Sequence, residues 1–266
     1  MAYETLKYNV SDGVATITLN RPETYNSLNL ATLEDLKKAF KECGKDKSVR
    51  AIIFTGEGRG FSSGADLVEI QTRVGEIEIT ESLRNGLNTL VTLMRTLEKP
   101  IVCAVNGVAA GAGASLCLAA DYRIASDKAG FVFAAFVNIG LIPDAGGTYL
   151  LQKLVGPAKA FELVLLADSK NRVSAEQAEA LGIVNRVVQA DDLMDEANAL
   201  ATKLATMPTK AIGMTKRALY RATSGVMLAD AMDYEAQLQS AAFRTYDFSE
   251  GVAAFIEKRD PIFKGE

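Results

Sequence analysis

The chain has 266 residues, 48% of them apolar and 23% charged, a balance that fills a core and excludes a disordered chain. A formal charge of −4 and a pI near 5.2 argue against nucleic acid as a main partner. Histidine is absent, which removes the imidazole base, the Ser-His-Asp triad and the commonest metal ligand together.

The opening "MAYETLKYNV" has neither the cationic nor the apolar segment of a secretory signal. Strand, turn and strand follow in "ETLKYNV", "SDG" and "VATITLN". "LATLEDLKKAFKEC" spaces Leu33, Leu36, Phe40 and Cys43 by three and four, an amphipathic helix. The apolar strand "VRAIIFTG" runs into the glycine-punctuated "GEGRGFSSGADL". From Glu76 to Glu98 a second helical pattern carries Leu83, Leu87, Leu90, Met94 and Leu97, and Lys99-Pro100 ends it. "IVCAVNG" is the next buried strand, followed by "VAAGAGASLCLAA" and the strand "DYRIAS". "SAEQ" at Ser174–Gln177 fits a capping box, and a further strand falls in "LGIVNRVV". Beyond about residue 190 the pattern is helical only. The reading is therefore an α/β body over 1–190 and an α-helical region over 191–266 that packs on the body or on another subunit.

Cys43, Cys103 and Cys117 are an odd, scattered set, and the last two lie in apolar runs. They read as small buried hydrophobes in a reducing cytoplasm, with neither a disulfide framework nor zinc spacing. No metal site is expected. No apolar run approaches the roughly 20 residues of a membrane span.

Two glycine-rich loops follow core strands, "GRGFSSGADL" and "NGVAAGAGASL", and neither fits a nucleotide fingerprint. Both can present backbone N–H groups to a negative oxygen. Gly111, Ala112 and Gly113 equally suit the close packing of a helix on a sheet. Asp144, in "GLIPDAGGTYLL", is the only charged group of its window. By spacing alone it reads as a helix N-cap.

Four motifs in order, "NRPETYNSLN", "GRGFSSGADL", "KPIVCAVNGVAAGAGASLCLAADYRIAS" and "GLIPDAGGTYLL", resemble the crotonase, or enoyl-CoA hydratase/isomerase, superfamily. The similarity runs from about Val14 to the C-terminal "EGVAAFIEKRDPIFKG". The resemblance implies a spiral of ββα units with a C-terminal α-helical trimerisation region, as a homotrimer or a dimer of trimers. It implies an acyl-CoA thioester as substrate, no prosthetic group, and an oxyanion hole from the amides of Ala65 and Ala112. Coenzyme A would lie against Ser63, Gly64, Asp66 and Leu67, with Phe255 and Lys258 closing over the nucleotide from a neighbouring subunit. A solvated helix-face Lys258 and a merely superficial Arg21 are the plainer readings.

A hydratase of this family positions water with two glutamates, whose places hold Ser115 and Phe136 here. Neither replaces a carboxylate. The resemblance therefore makes Asp144 the acid/base, and apolar neighbours such as Phe136, Ile139, Leu141 and Ile142 would raise its pKa by desolvation. The expected activity is movement of a double bond from the 3- to the 2-position of an enoyl-CoA. Alternatives are a ring-opening or ring-expanding isomerase of an aromatic-derived CoA ester, as in phenylacetate breakdown, an enoyl-CoA hydratase, and a non-catalytic acyl-CoA-binding protein. The variable stretch from about Gln71 to Arg84 is expected to shape the acyl pocket.

Overall fold

The computed structural model describes residues 3–72, 78–166 and 172–266. A hairpin of β1 (Leu6–Ser11) and β2 (Val14–Leu19) opens the chain, turning at "SDG" as its pattern predicts. Helix α1 (Leu30–Lys45) follows, capped by the Asn29 side chain on the Thr32 N–H. Three similar passages come next. β3 (Ala51–Gly56) leads into β4 (Gly60–Ser62) and α2 (Leu67–Thr72). α3 (Ile79–Leu83), a π-turn (Arg84–Asn88) and α4 (Thr89–Thr96) form the second helical stretch before Pro100. β5 (Ile101–Val105) leads into β6 (Val108–Ala110) and α5 (Ala112–Ala119). β7 (Tyr122–Ser126) leads into β8 (Gly130–Val132), and then α6 (Gly147–Val155) and α7 (Pro157–Leu166).

The first strand of each passage enters a six-stranded sheet and the second a four-stranded one. β9 (Val173–Ser174) closes the small sheet, and α8 (Ala175–Ala180) starts with the expected capping box. β10 (Arg186–Val188) closes the large sheet. The orders are β1-β2-β3-β5-β7-β10 and β4-β6-β8-β9. The chain is thus the spiral of ββα units that the motifs imply.

The inner strands β3 and β5 of the large sheet are buried on both faces, which explains why they read as continuous apolar runs. Side chains alternate across it: Ile52, Phe54, Ile101, Cys103 and Val105 enter one core, while Ala51, Ile53, Val102 and Ala104 enter the other. α1, α4 and α5 contribute to the first core. The second is covered by α9 (Leu193–Thr206), through Leu193, Ala197, Ala201 and Ala205. So α9 lies past residue 190 in sequence but completes the core of the body. Cys43, Cys103 and Cys117 are free and buried.

α10 (Thr209–Ala222), α11 (Leu228–Ala242) and α12 (Tyr246–Glu257) follow. α10 is fastened by Lys216, which is 5% exposed. Its Nζ donates to the Met94 carbonyl at 2.8 Å and to Asp121 Oδ2 at 2.8 Å. The Tyr220 hydroxyl also donates to Asp121, and the Arg95 guanidinium stacks on the Tyr220 ring. No helix among the described residues is long and apolar enough to cross a membrane.

Removing one partner of a buried pair strands the other charge, at a typical cost of about 3–5 kcal/mol. Lys216→Ala is therefore expected to destabilise by about 3 kcal/mol in chemical denaturation. Lys216→Met combined with Asp121→Asn should cost less than the sum of the single changes, as a double-mutant cycle will show.

Candidate active site

β4 and β6 pair in parallel, Gly60 opposite Val108 and Ser62 opposite Ala109. The segments that leave their ends therefore run side by side. After β4, Ala65 bridges to Leu28: the Leu28 N–H donates to the Gly64 carbonyl at 2.8 Å and the Asp66 N–H to the Leu28 carbonyl at 3.1 Å. Successive N–H groups of an extended segment alternate sides, so that of Ala65 turns away from Leu28. After β6, Ala112 is the first residue of α5, where an N–H has no intrahelical acceptor. Neither amide has a backbone acceptor among the described residues.

Gly64 sits between them. A β-carbon there would lie 2.7 Å from the Ala110 carbonyl oxygen and 3.3 Å from the Ala112 nitrogen, at a φ of +89°. Only glycine permits this approach. An unengaged N–H at the start of a buried helix and a second from the adjacent extended segment are the kind of backbone donors that an oxyanion hole requires.

Asp144 lies on the segment between β8 and α6. It does not cap α6: the N-cap is Gly146, and no side chain caps that helix. The Asp144 main-chain carbonyl accepts from the Gly147 N–H at 2.8 Å and from Ser115 Oγ at 3.1 Å. Its carboxyl Oδ1 is buried without a hydrogen-bond partner. Burial pushes the carboxyl from 3.8 up to about 6, against a small opposing effect of its own backbone. The following Ala145 is left-handed at φ +50°, a conformation that costs a residue with a β-carbon about 1–2 kcal/mol.

Of the apolar residues expected around this carboxyl, Phe136 is buried. Ile139, Leu141 and Ile142 are each more than half exposed, because the chain loops outward around the left-handed Gly140. They do not enclose it as their sequence position suggested. The Phe136 ring instead stands over Gly111, 3.7 Å from where a β-carbon would be. Ser115, in the first turns of α5, is 3% exposed. So the two places of the hydratase glutamates hold an apolar wall and a hydroxyl spent on main-chain carbonyl groups.

Ser63 Oγ donates to the Thr24 carbonyl at 3.0 Å, and Leu67 is exposed. Asp66 is engaged: its Oδ2 accepts from Arg21 Nη1 at 3.0 Å and Ser27 Oγ at 2.9 Å. Burial opposes ionisation of Asp66, but the Glu69 N–H, Arg21 and Ser27 together hold its carboxyl below the ordinary value. Arg21 is thus no loose surface cation, since its Nη1 also reaches the Ser27 carbonyl at 2.8 Å. Its role is to brace the loop that presents Ala65.

Phe255 and Lys258 sit apart. Phe255 is 85% exposed, and Lys258 is the left-handed C-cap of α12. No hydrogen bond or ion pair among the described residues joins either one to Ser63–Leu67 or to α5. Residues 73–77 of the expected acyl-pocket stretch lie outside the described residues. The bracing by Arg21, the close approach of Gly147 to Ser115 (a β-carbon on it would lie 2.5 Å from Ser115 Oγ) and the Ser115 anchor escape sequence reading. The one signal for the last is the spacing that puts Ser115 four residues after Gly111 on a helix.

The enoyl-CoA hydratase/isomerase family model matches residues 9–266, and the chain belongs to that family. It is 42% identical to a protein of Escherichia coli (strain K12) named 1,2-epoxyphenylacetyl-CoA isomerase, over 99% of each chain. It is 37% identical to the trans-2-decenoyl-[acyl-carrier-protein] isomerase of Streptococcus mutans serotype c, over 100% of each. A crystal structure of an enoyl-CoA hydratase from Bacillus anthracis superposes with a TM-score of 0.89 at 33% identity, covering 99% of this chain and 100% of that one.

The raised pKa makes a stability prediction. Between about 3.8 and about 6 the folded state binds more protons at Asp144 than the unfolded state does. Stability is therefore full below the lower value and falls as pH rises through the upper one, by on the order of 2–3 kcal/mol. Asp144→Asn should stabilise the protein in melts at pH 7 and make no difference at pH 3.5. A loss of stability at pH 7 would show that the carboxylate is held by a favourable partner.

Proposed function

We propose that this protein is an isomerase of unsaturated acyl-CoA thioesters, moving a double bond from the 3- to the 2-position. The observation that carries the reading is the buried, unpartnered Oδ1 of Asp144, whose main chain Ser115 ties to the helix that begins at the unengaged Ala112 amide. The thioester carbonyl oxygen accepts from the Ala65 and Ala112 N–H groups, which acidifies C2. Asp144 as carboxylate takes a proton from C2, and the electron pair moves into the carbonyl to form a dienolate. The same carboxyl then returns the proton to C4, the C3–C4 double bond becomes C2–C3, and the carbonyl reforms. A carboxyl titrating at about 6 suits both halves better than one titrating at 3.8. Phe136, in place of a water-binding glutamate, favours proton return over addition of water.

Ser63, Gly64, Asp66 and Leu67 serve the coenzyme A end in this reading. Phe255 and Lys258 serve it from a second copy of the chain, consistent with their exposure. A second reading, isomerisation of a ring-derived CoA ester, is favoured by the 42% identity to the protein named 1,2-epoxyphenylacetyl-CoA isomerase. It uses the same hole and the same carboxyl.

Straight-chain 3-enoyl-CoAs, 2-enoyl-CoAs and ring-derived CoA esters, assayed side by side, separate these readings. Isomerisation should dominate, with kcat rising as pH passes through about 6. Asp144→Asn should lower kcat by about 10²- to 10⁴-fold, the usual weight of a general base, while acyl-CoA binding persists. Faster hydration than isomerisation, or full activity in Asp144→Asn, overturns the reading. Binding without turnover across the panel would make the chain a non-catalytic acyl-CoA binder.

A further inference from the structure

The turn that carries Asp144 is strained and is held from one side. Ala145 and Gly146 are both left-handed, at φ +50° and +73°. Two hydrogen bonds secure the turn, and both end on the Asp144 main-chain carbonyl. One, from the Gly147 N–H, closes the turn itself. The other comes from Ser115 Oγ across the boundary with α5, at 3.1 Å. A hydroxyl has one proton, and the Gly111 carbonyl, at 3.4 Å, is the weaker claimant. Gly147 is fitted to this serine: a β-carbon there would lie 2.5 Å from Ser115 Oγ.

We propose that Ser115 is a positioning residue, whose bond to the Asp144 carbonyl keeps the carboxylate off the first-turn N–H groups of α6 and in fixed relation to the Ala112 amide. The inference rests on the reading of Asp144 as the base. Its logic is a competition. An aspartate two residues before the N-cap glycine of a helix would, if its turn relaxed, bring its carboxylate to the N–H groups of the first turn of α6. A carboxylate so capped is a weaker base. Ser115 anchors the main chain, and so the side chain is left out of the cap. It also lies one turn beyond Ala112, so a single rigid helix sets both the hole and the base.

Charged groups on the neighbouring elements are occupied elsewhere. Arg95 on α4 stacks on Tyr220, Lys153 on α6 stands over the Tyr149 ring, and Lys159 on α7 pairs with Glu162. α5 bears no charged side chain, and its one thiol, Cys117, faces Cys103 in the core. Burial, against the small opposing effect of its own backbone, is left to set the Asp144 carboxyl, and burial depends on where the turn is held.

Three variants test this: Ser115→Ala, Gly147→Ala and the two combined. Two readouts are taken, the carboxyl-carbon NMR titration of Asp144, assigned by its loss in Asp144→Asn, and kcat with KM on a 3-enoyl-CoA. In Ser115→Ala the titration midpoint should fall from about 6 towards 3.8. Its kcat should drop about 10- to 100-fold with KM nearly unchanged, as for a misplaced reacting group. Gly147→Ala should do the same by displacing the hydroxyl. In the double variant the two β-carbons would stand 3.6 Å apart, an ordinary contact. It should fold as stably as the natural chain yet keep the lowered midpoint, which separates a lost hydrogen bond from a lost fit. A midpoint that stays near 6 in Ser115→Ala, or returns there in the double variant, overturns the proposal. A falling midpoint without turnover on any CoA ester upholds the anchor and sinks the assignment of Asp144 as base.

Discussion

The approach of two backbones at Gly64 governs the rest of the site. There the chain leaving β4 passes so close to the Ala110 carbonyl and the Ala112 nitrogen that no β-carbon fits. That contact exists because β4 and β6 pair in parallel, and they pair because each ββα passage places its second strand in the small sheet. An isolated N–H at a helix start is common, whereas bringing a second loop this close to it needs this register. Arg21, Ser27 and Asp66 then hold the outer loop from behind. Electrostatic preorganisation of the proposed kind is a property of the backbone, and so alanine can serve at both 65 and 112.

The proposed base depends on the opposite device. The amides are arranged so that donors are free, and the carboxyl is arranged so that donors are withheld. A buried carboxyl oxygen without a partner is unfavourable to the fold, and the chain tolerates it on a turn that is itself strained at Ala145. Such local costs gather where chemistry is done, and stability is recovered in the two dense cores around the large sheet. The absence of the hydratase glutamates fits the same picture. A second ionised carboxylate at 115 would repel the first, and a polar residue at 136 would admit water to it.

Much of this was legible in the sequence, for identifiable reasons. Strands such as "VRAIIFTG" are apolar throughout because both their faces are covered, and the α1 stripe of Leu36, Phe40 and Cys43 follows from one face being covered. "SAEQ" is a local signal and formed the local structure it encodes. The resemblance carried the topology, which no periodicity contains. What stayed hidden depends on contacts between distant segments. Asp144 before two glycines looks like a cap until Ser115, 29 residues earlier, is seen to hold its carbonyl. Ile139, Leu141 and Ile142 look like a pocket wall until the turn at Gly140 carries them outward. The helical region begins at 193, yet α9 belongs with the body, since its alanines match a sheet face rather than a linker.

α5 is buried along its whole length, Ala112 to Ala119, by small and medium side chains on every side. In hydrogen-exchange terms such a helix is expected to belong to the last unit of the fold to open, its hydrogen-bonded amides exchanging only through near-global unfolding. The Ala112 donor is therefore in place before any thioester arrives. If Ala112 lends its N–H to the proposed hole, an acyl-CoA meeting this end of the site has no segment to order, and the entropy of organising it is charged to folding and not to each round of binding.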